Sequence, residues 1–512
     1  MRDKYLLFAA LLASSITVAA YESVQAGPPP IDELARSWRG DSDLSAVDFV
    51  DPLCGWAVGD RGAVWHTLDG GAHWNAQESG VGCRLHSVCF LDSANGWIAG
   101  GYYDSYVHRS RGVVLRTTDG GVTWQIETTP MLPALRRLKM TSPVEGWAVG
   151  DASTLFPSGL FFTRDGGKTW NPATGKTSTH KNWRTADFAS PHAGAAADVE
   201  GCIYPIDGRF AAETPQAEWA PRTVHGIELG PDGMGWLVGD GGLVLATDDG
   251  GATWGPPHGV DLSADAGSQC DWRAATRSGP HAWIVGAPGS IVLHTPDGGR
   301  TWESLRTGQS LPLADVEFVD PSHGFAVGAM GTILATSDGG TTWKRQSFAD
   351  RRAALWACFA DARAVPAELI VSAAADEGYV TAVTLVGRRD EDYEPRRRAT
   401  YADRAADGLS RFGASTVEQA WSFPLPSELL QLPSAELLAR WGDGDESLAA
   451  ARAQAYLVRQ LRTFRPDVVL THAPAPRGDA PTDHLLHQLV MQAVEGAADP
   501  ARFPEQIELL GL

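Results

Sequence analysis

Two groups of side chains in this chain have the types and spacing to do chemistry. Near the C-terminus, Asp376 and Glu377 follow the apolar run Glu368-Leu369-Ile370-Val371-Ser372, and Asp479, Asp483 and His484 follow a second run that ends at His472. If both runs are strands, a carboxylate and an imidazole converge from two strand ends, a pairing that can bind zinc and activate water. Earlier in the chain, Arg84, Arg184 and Arg273, with Arg136 and Arg137, sit in segments such as Trp183-Arg184-Thr185-Ala186-Asp187-Phe188 that open strands. Such arginines can line a channel and grip a peptide or a carboxylate; solvated channel lining is the plainer alternative.

The elements that must position the arginines are set by a repeat. Gly324-Phe325-Ala326-Val327-Gly328, followed by Thr336-Ser337-Asp338-Gly339-Gly340-Thr341-Thr342-Trp343, is the unit. Its other copies place the aspartate at Asp69, Asp119, Asp165, Asp249 and Asp297, with a tryptophan five residues on, and a worn copy stands at Asp207-Gly208. Successive aspartates are 50, 46, 42, 42, 48 and 41 residues apart. That period belongs to a four-stranded propeller blade, so seven units predict a seven-bladed propeller.

Turn chemistry explains the phrase. An aspartate opening a tight turn accepts bonds from the backbone N–H groups that follow, and two glycines take positive φ without a Cβ clash. The tryptophan is expected to pack on the neighbouring blade, where burying an indole stabilises by roughly 2 to 3 kcal/mol. Two blades carry insertions, one around Tyr102-Tyr103 and one over residues 171–183, in positions where propellers place recognition loops.

After Gln346 the phrase stops and strands alternate with helices. Glu368 to Ser372 and Tyr379 to Val386 read as strands, Arg396 to Phe412 and Leu448 to Phe464 as helices, Asp467 to His472 as a strand and Thr482 to Gly496 as a helix. This order implies an α/β layer with a mostly parallel sheet and a ligand site at the carboxyl ends of its strands. Leu355 to Phe359 is assigned to the ring.

The Ser/Thr-x-Asp-Gly-Gly-x-Thr-Trp phrase resembles the Asp-box, or BNR repeat, of sialidases. Joined to Gly-Trp-Ala-Val-Gly in each blade, it resembles more closely the photosystem II assembly-factor-like propellers. The C-terminal segment resembles the PIG-L/LmbE family of zinc-dependent N-deacetylases. That likeness implies Asp376 as general base and Glu377 and His484 as zinc ligands. Two motif histidines are lost, however, with Ala374 and Pro481 in their places. Fewer than three ligands remain, so the likeness implies a domain that has lost hydrolysis.

Composition bounds these readings. Sixty-two acidic against 42 basic residues give a net charge of −20, which argues against nucleic-acid partners. Arg2 to Ala26 has the charged start, apolar run and small-residue end of a secretory signal. Six cysteines lack any CxxC pair; Cys83 with Cys89 is the nearest pairing and free thiols are the alternative. The expectation is therefore an exported, periplasmic or extracellular, multidomain protein. It comprises a signal over 1–26, a linker over 27–44, a seven-bladed all-β propeller over 45–360 and an incomplete α/β, Rossmann-like domain over 366–512. The propeller binds a protein or glycan partner, no transmembrane span remains in the mature chain, and no cofactor is expected unless the deacetylase-like site works with zinc. The alternatives are an active N-deacetylase of N-acetylated amino sugars, a sialidase-like glycosidase and a photosystem assembly factor.

Overall fold

A computed structural model describes residues 39–512 except 105–108, 128, 174–180, 191–192, 208–209, 212–216, 219–221, 258–268, 347–351, 389–397, 427–428, 430 and 475–480. The expected signal segment and much of the linker lie outside the described residues, as do parts of both insertions. No helix among the described residues is long and apolar enough to cross a membrane.

Seven antiparallel sheets follow one another along the chain, each built from consecutive strands. The first is Leu44–Phe49, Gly55–Gly59, Val64–Thr67 and Asn75–Ala76; the seventh is Leu313–Phe318, Gly324–Gly328, Thr332–Thr336 and Lys344–Arg345. The first strands of successive blades touch in order, and the last touches the first, so they line a central channel.

Four of the second strands, Gly55–Gly59, Gly146–Gly150, Gly235–Gly239 and Gly324–Gly328, are buried end to end because each lies between two other strands and two neighbouring blades. The leading glycine of a second strand is imposed by a ring: a Cβ on Gly55, Gly96 or Gly324 would lie 2.3–2.4 Å from Phe49, Phe90 or Phe318 respectively. Those phenylalanines form the joints between blades. Trp56 stacks on Phe90 of the next blade at 3.4 Å and Trp283 on Phe318 at 3.6 Å. Phe325 of the seventh blade stacks on Phe49 of the first at 3.5 Å, closing the ring through the same joint.

The Asp-box turns form as the sequence predicts. At Asp119 the carboxylate accepts from the Thr123 N–H at 2.9 Å and hydroxyl at 2.6 Å, while the Gly121 N–H donates to Thr117. The Thr123 bonds draw the Asp119 carboxyl down to about 2. Asp69, Asp165, Asp249, Asp297 and Asp338 each accept the equivalent N–H four residues on. The box tryptophans pack at the seams as expected: Trp74, Trp124, Trp170, Trp254, Trp302 and Trp343 each join a cluster that spans their own blade and the preceding one. Trp74, Trp124 and Trp343 also meet edge-on the phenylalanine of their own blade, and Trp302 meets Trp236 of the preceding one in the same way.

The eighth sheet is parallel, in the spatial order Thr416–Gln419, Thr381–Leu385, Leu355–Phe359, Val468–Leu470. Leu355–Phe359 therefore belongs to this sheet and not to the ring. The expected strand at Glu368 to Ser372 is helical instead, Ala367–Ile370 running into the wider-turned Val371–Asp376. The reason is topological: two adjacent parallel strands need a crossover, and this segment is the return path between them. Helices Arg398–Arg411, Glu446–Phe464 and Pro481–Ala498 complete the layer, and its core extends to Leu311 and Met330 of the propeller.

Candidate functional site: a channel with two unlike mouths

Every channel-lining strand carries a register shift at one common level, and Trp183–Ser190 has a second beyond Phe188. The residues passed over at the common level are Ser45, His86, Arg136, Arg184, His225, Arg273 and Ala314. A β-bulge leaves its extra residue out of the ladder and re-aims the side chain. Seven aligned bulges thus crown one mouth of the channel with three arginines and two histidines. Arg84 lies beside this crown.

The C-terminal domain supplies the opposite charge. Asp403, on helix Arg398–Arg411, accepts from Arg136 at 2.6 Å and lies 3.6 Å from Arg184. Glu418, on the edge strand of the parallel sheet, pairs with Arg273 at 2.5 Å. Arg84 is paired within the propeller, to Asp60 at 2.7 Å. Arg61 donates to the backbone carbonyl of Ala414, Thr416 donates to Asp43, and Trp421 donates to Asp271. Tyr103 of the first insertion carries Arg404 over its ring at 5.0 Å.

Burial alone would discharge these groups, and the partners decide otherwise. Burial lowers Arg136, but the Asp403 and Asp151 carboxylates outweigh it and raise its pKa above the usual guanidinium range. Burial likewise raises Asp403, and Arg136 with Arg184 bring it below the usual carboxylate range. His86, buried and beside Arg136, is pushed well below its ordinary value, so its ring is neutral and accepts from Arg136 at 3.3 Å.

The far mouth opens on the Asp-box face, since first and third strands run the same way. At one register level the seven blades contribute Asp48, Cys89, Lys139, Asp187, Glu228, Thr276 and Glu317. Four carboxylates meet one lysine, around a cavity of about 240 Å³ that Asp315 and Arg137 also line. Some of these groups staple blades: Asp48 accepts the Phe90 N–H at 2.6 Å and Asp187 the Leu229 N–H at 2.7 Å. Lys139 reaches Asp187 at 2.6 Å. Burial raises Asp48 to about 7 and, with Asp187 adding repulsion, Glu228 to about 8. The sequence reading missed this ring; its signal was the residue just before Phe49, Phe90, Met140, Phe188, Leu229 and Phe318.

The residues singled out for zinc are not brought together. Asp376 and Glu377 are exposed at the end of the crossover helix, beside the amino end of Thr381–Leu385. His484 is exposed in the first turn of Pro481–Ala498, next to Asp483, which faces His472 at the carboxyl ends of the strands. A five-residue strand separates the two ends by ~16 Å, so Glu377 and His484 do not fit a shared ion. His472 is engaged as well, its Nε2 accepting the Ala360 N–H at 3.0 Å. Among the described residues no group of three or more His, Cys, Asp or Glu side chains is placed to hold a metal. Cys83 and Cys89 are free thiols, each pushed up to about 12 by burial.

With this geometry in view, the comparisons with known proteins are specific. Residues 38–134, 219–314 and 308–381, just over half of the chain, match the family profile described as Photosynthesis system II assembly factor YCF48. Photosystem II assembly protein Ycf48 of Synechococcus sp. (strain JA-2-3B'a(2-13)) is 28% identical over 304 residues, covering 56% of this chain and 83% of that protein. The chloroplastic photosystem II stability/assembly factor HCF136 of Arabidopsis thaliana is 26% identical over 362 residues, covering 63% and 85%. A solved structure described as YCF48 bound to D1 peptide aligns with a TM-score of 0.46 and 22% identity, covering 61% of this chain and 95% of that one.

Proposed function

Because the chain belongs to the photosynthesis system II assembly factor YCF48 family, we propose that it is an assembly factor that holds a client polypeptide by a carboxylate-bearing segment at the basic mouth of its propeller. The observation that carries this is the bulge crown. Arg136, Arg184 and Arg273, from three different blades, converge on one opening and are already engaged by side-chain carboxylates, those of Asp403 and Glu418. Planar guanidinium groups in a desolvated opening favour carboxylates over neutral acceptors.

The partner class proposed is a peptide, as in the YCF48 structure described as bound to D1 peptide. The site of action proposed is outside the cytoplasm, in keeping with the secretory character of Arg2 to Ala26. Fluorescence anisotropy with labelled hexaglutamate and hexaglutamine tests the reading. The expected result is preference for hexaglutamate and at least a tenfold loss on combining R136Q, R184Q and R273Q. Equal affinity for the two peptides, or indifference to the arginines, overturns it.

A further inference from the structure

The basic mouth is closed in this structure, and it is closed by the chain itself. Between the crown and helix Arg398–Arg411 only about 20 Å³ remains, bounded by Arg84, His86, Arg136, Asp403 and Asp407. That is room for about one water, not for a side chain. Asp403 holds the position from which a client carboxylate would bind Arg136 and lies beside Arg184, and Glu418 holds the position that would bind Arg273.

We infer that the helix Arg398–Arg411 and the edge strand Thr416–Gln419 form a tethered plug, in which Asp403 and Glu418 act as built-in stand-ins for the client's carboxylates and must leave before a client binds. The inference rests on the carboxylate-binding reading above and adds how that site is regulated. Three observations support a plug over a permanent joint. The acidic groups are presented by consecutive elements at one edge of the parallel sheet, since Thr416–Gln419 pairs with one neighbour only. The contacts that Asp403 and Glu418 make with the crown arginines are ion pairs and single hydrogen bonds, which a second carboxylate reproduces atom for atom. The apolar part of the interface, built on Leu311 and Met330, belongs to the core with Trp356, Phe464 and Val458 and can stay docked while the edge lifts.

Tethering matters to the size of the effect. A covalently attached competitor works at a high effective concentration, and a client's apparent dissociation constant is the intrinsic one divided by the fraction of open molecules. A plug seated nine times in ten weakens binding tenfold.

The test uses the full chain and labelled hexaglutamate. Combining D403N with E418Q keeps the shapes, removes both charges and is expected to tighten binding at least tenfold; adding R136Q, R184Q and R273Q abolishes the gain. Unchanged affinity in D403N/E418Q, with binding still dependent on the arginines, overturns the plug and leaves the carboxylate site standing. Absence of arginine-dependent binding in both proteins overturns the site and the plug together. Hydrogen–deuterium exchange on the unaltered chain gives a second readout free of any folding defect. Saturating hexaglutamate is expected to speed exchange over residues 398–419, and unchanged or slower exchange there overturns the plug.

Discussion

The two mouths of the propeller channel are made by the same strands and differ in everything that matters for binding. At one, three of the seven bulge residues are arginines, and each meets a carboxylate brought from the other domain. At the other, carboxylates outnumber cations and crowd one another, with Glu228 and Glu317 making no described hydrogen bond or ion pair. The first is a neutralised interface; the second is a crowded one, in which burial and mutual repulsion push the carboxyl groups of Asp48, Glu228 and Glu317 upward. A single blade architecture supports both because the register position, not the fold, chooses the side chain.

The largest effect of a single substitution is expected at the basic mouth. Arg136→Gln leaves Asp403 short of its closest partner, and loss of one member of a buried pair costs about 3–5 kcal/mol. The expected result is looser docking of the C-terminal domain, seen as faster amide exchange across helix Arg398–Arg411 with the Asp-box blades unchanged. At the far mouth Asp187→Asn loses the charge facing Lys139 while keeping an acceptor for Leu229, and a cost of about 1–2 kcal/mol in urea unfolding is expected.

Asp403 at the basic mouth and the carboxylates of the far mouth answer pH with opposite signs, while Asp407 beside Asp403 is raised by burial to about 6 and follows the far mouth. Asp48 and Glu228 have folded-state values raised to about 7 and about 8 from 3.8 and 4.5. Their stabilising effect is complete below the unfolded values and is lost as pH rises through the folded ones. Asp403 is depressed, so its contribution is present above about 3.8 and is lost as pH falls through its folded value. The propeller is therefore expected to lose melting temperature between about pH 5 and 8, and Glu228→Gln to flatten that slope; a slope unchanged in the variant contradicts the assignment. Smallest of all is the effect of Glu377→Ala with His484→Ala. Both are exposed and apart, so unfolding free energy is expected to stay within about 0.5 kcal/mol and the zinc content of the purified protein to be unaltered.

Much of the ring was legible because its logic is local. Asp119, Gly120, Gly121 and Thr123 satisfy each other within one turn, so the phrase that makes the turn is the phrase one reads. The arginines at 84, 184 and 273 were legible as strand openers that line a channel; the bulge that sets Arg184 and Arg273 at one level with Arg136 was not, because it varies in identity from Ser45 to Arg273. Their counter-ions were beyond reach: Arg136 and Asp403 are separated by 267 residues, and no periodicity links them. Leu355–Phe359 and Glu368 to Ser372 exchanged roles for a simpler reason. Short apolar runs do not distinguish strand from helix, and only the need for a crossover between parallel strands decides. That exchange moved Asp376 and Glu377 to the wrong end of the sheet for the chemistry their motif suggests.

One feature of the ring reaches further. Blade seven meets blade one through the same aromatic stack that joins blade one to blade two, and each of those blades keeps its own four strands. The circle therefore has no special seam. Relocating the chain ends to another interblade turn, by linking residue 346 to residue 43 and cutting elsewhere, would ask nothing new of any joint.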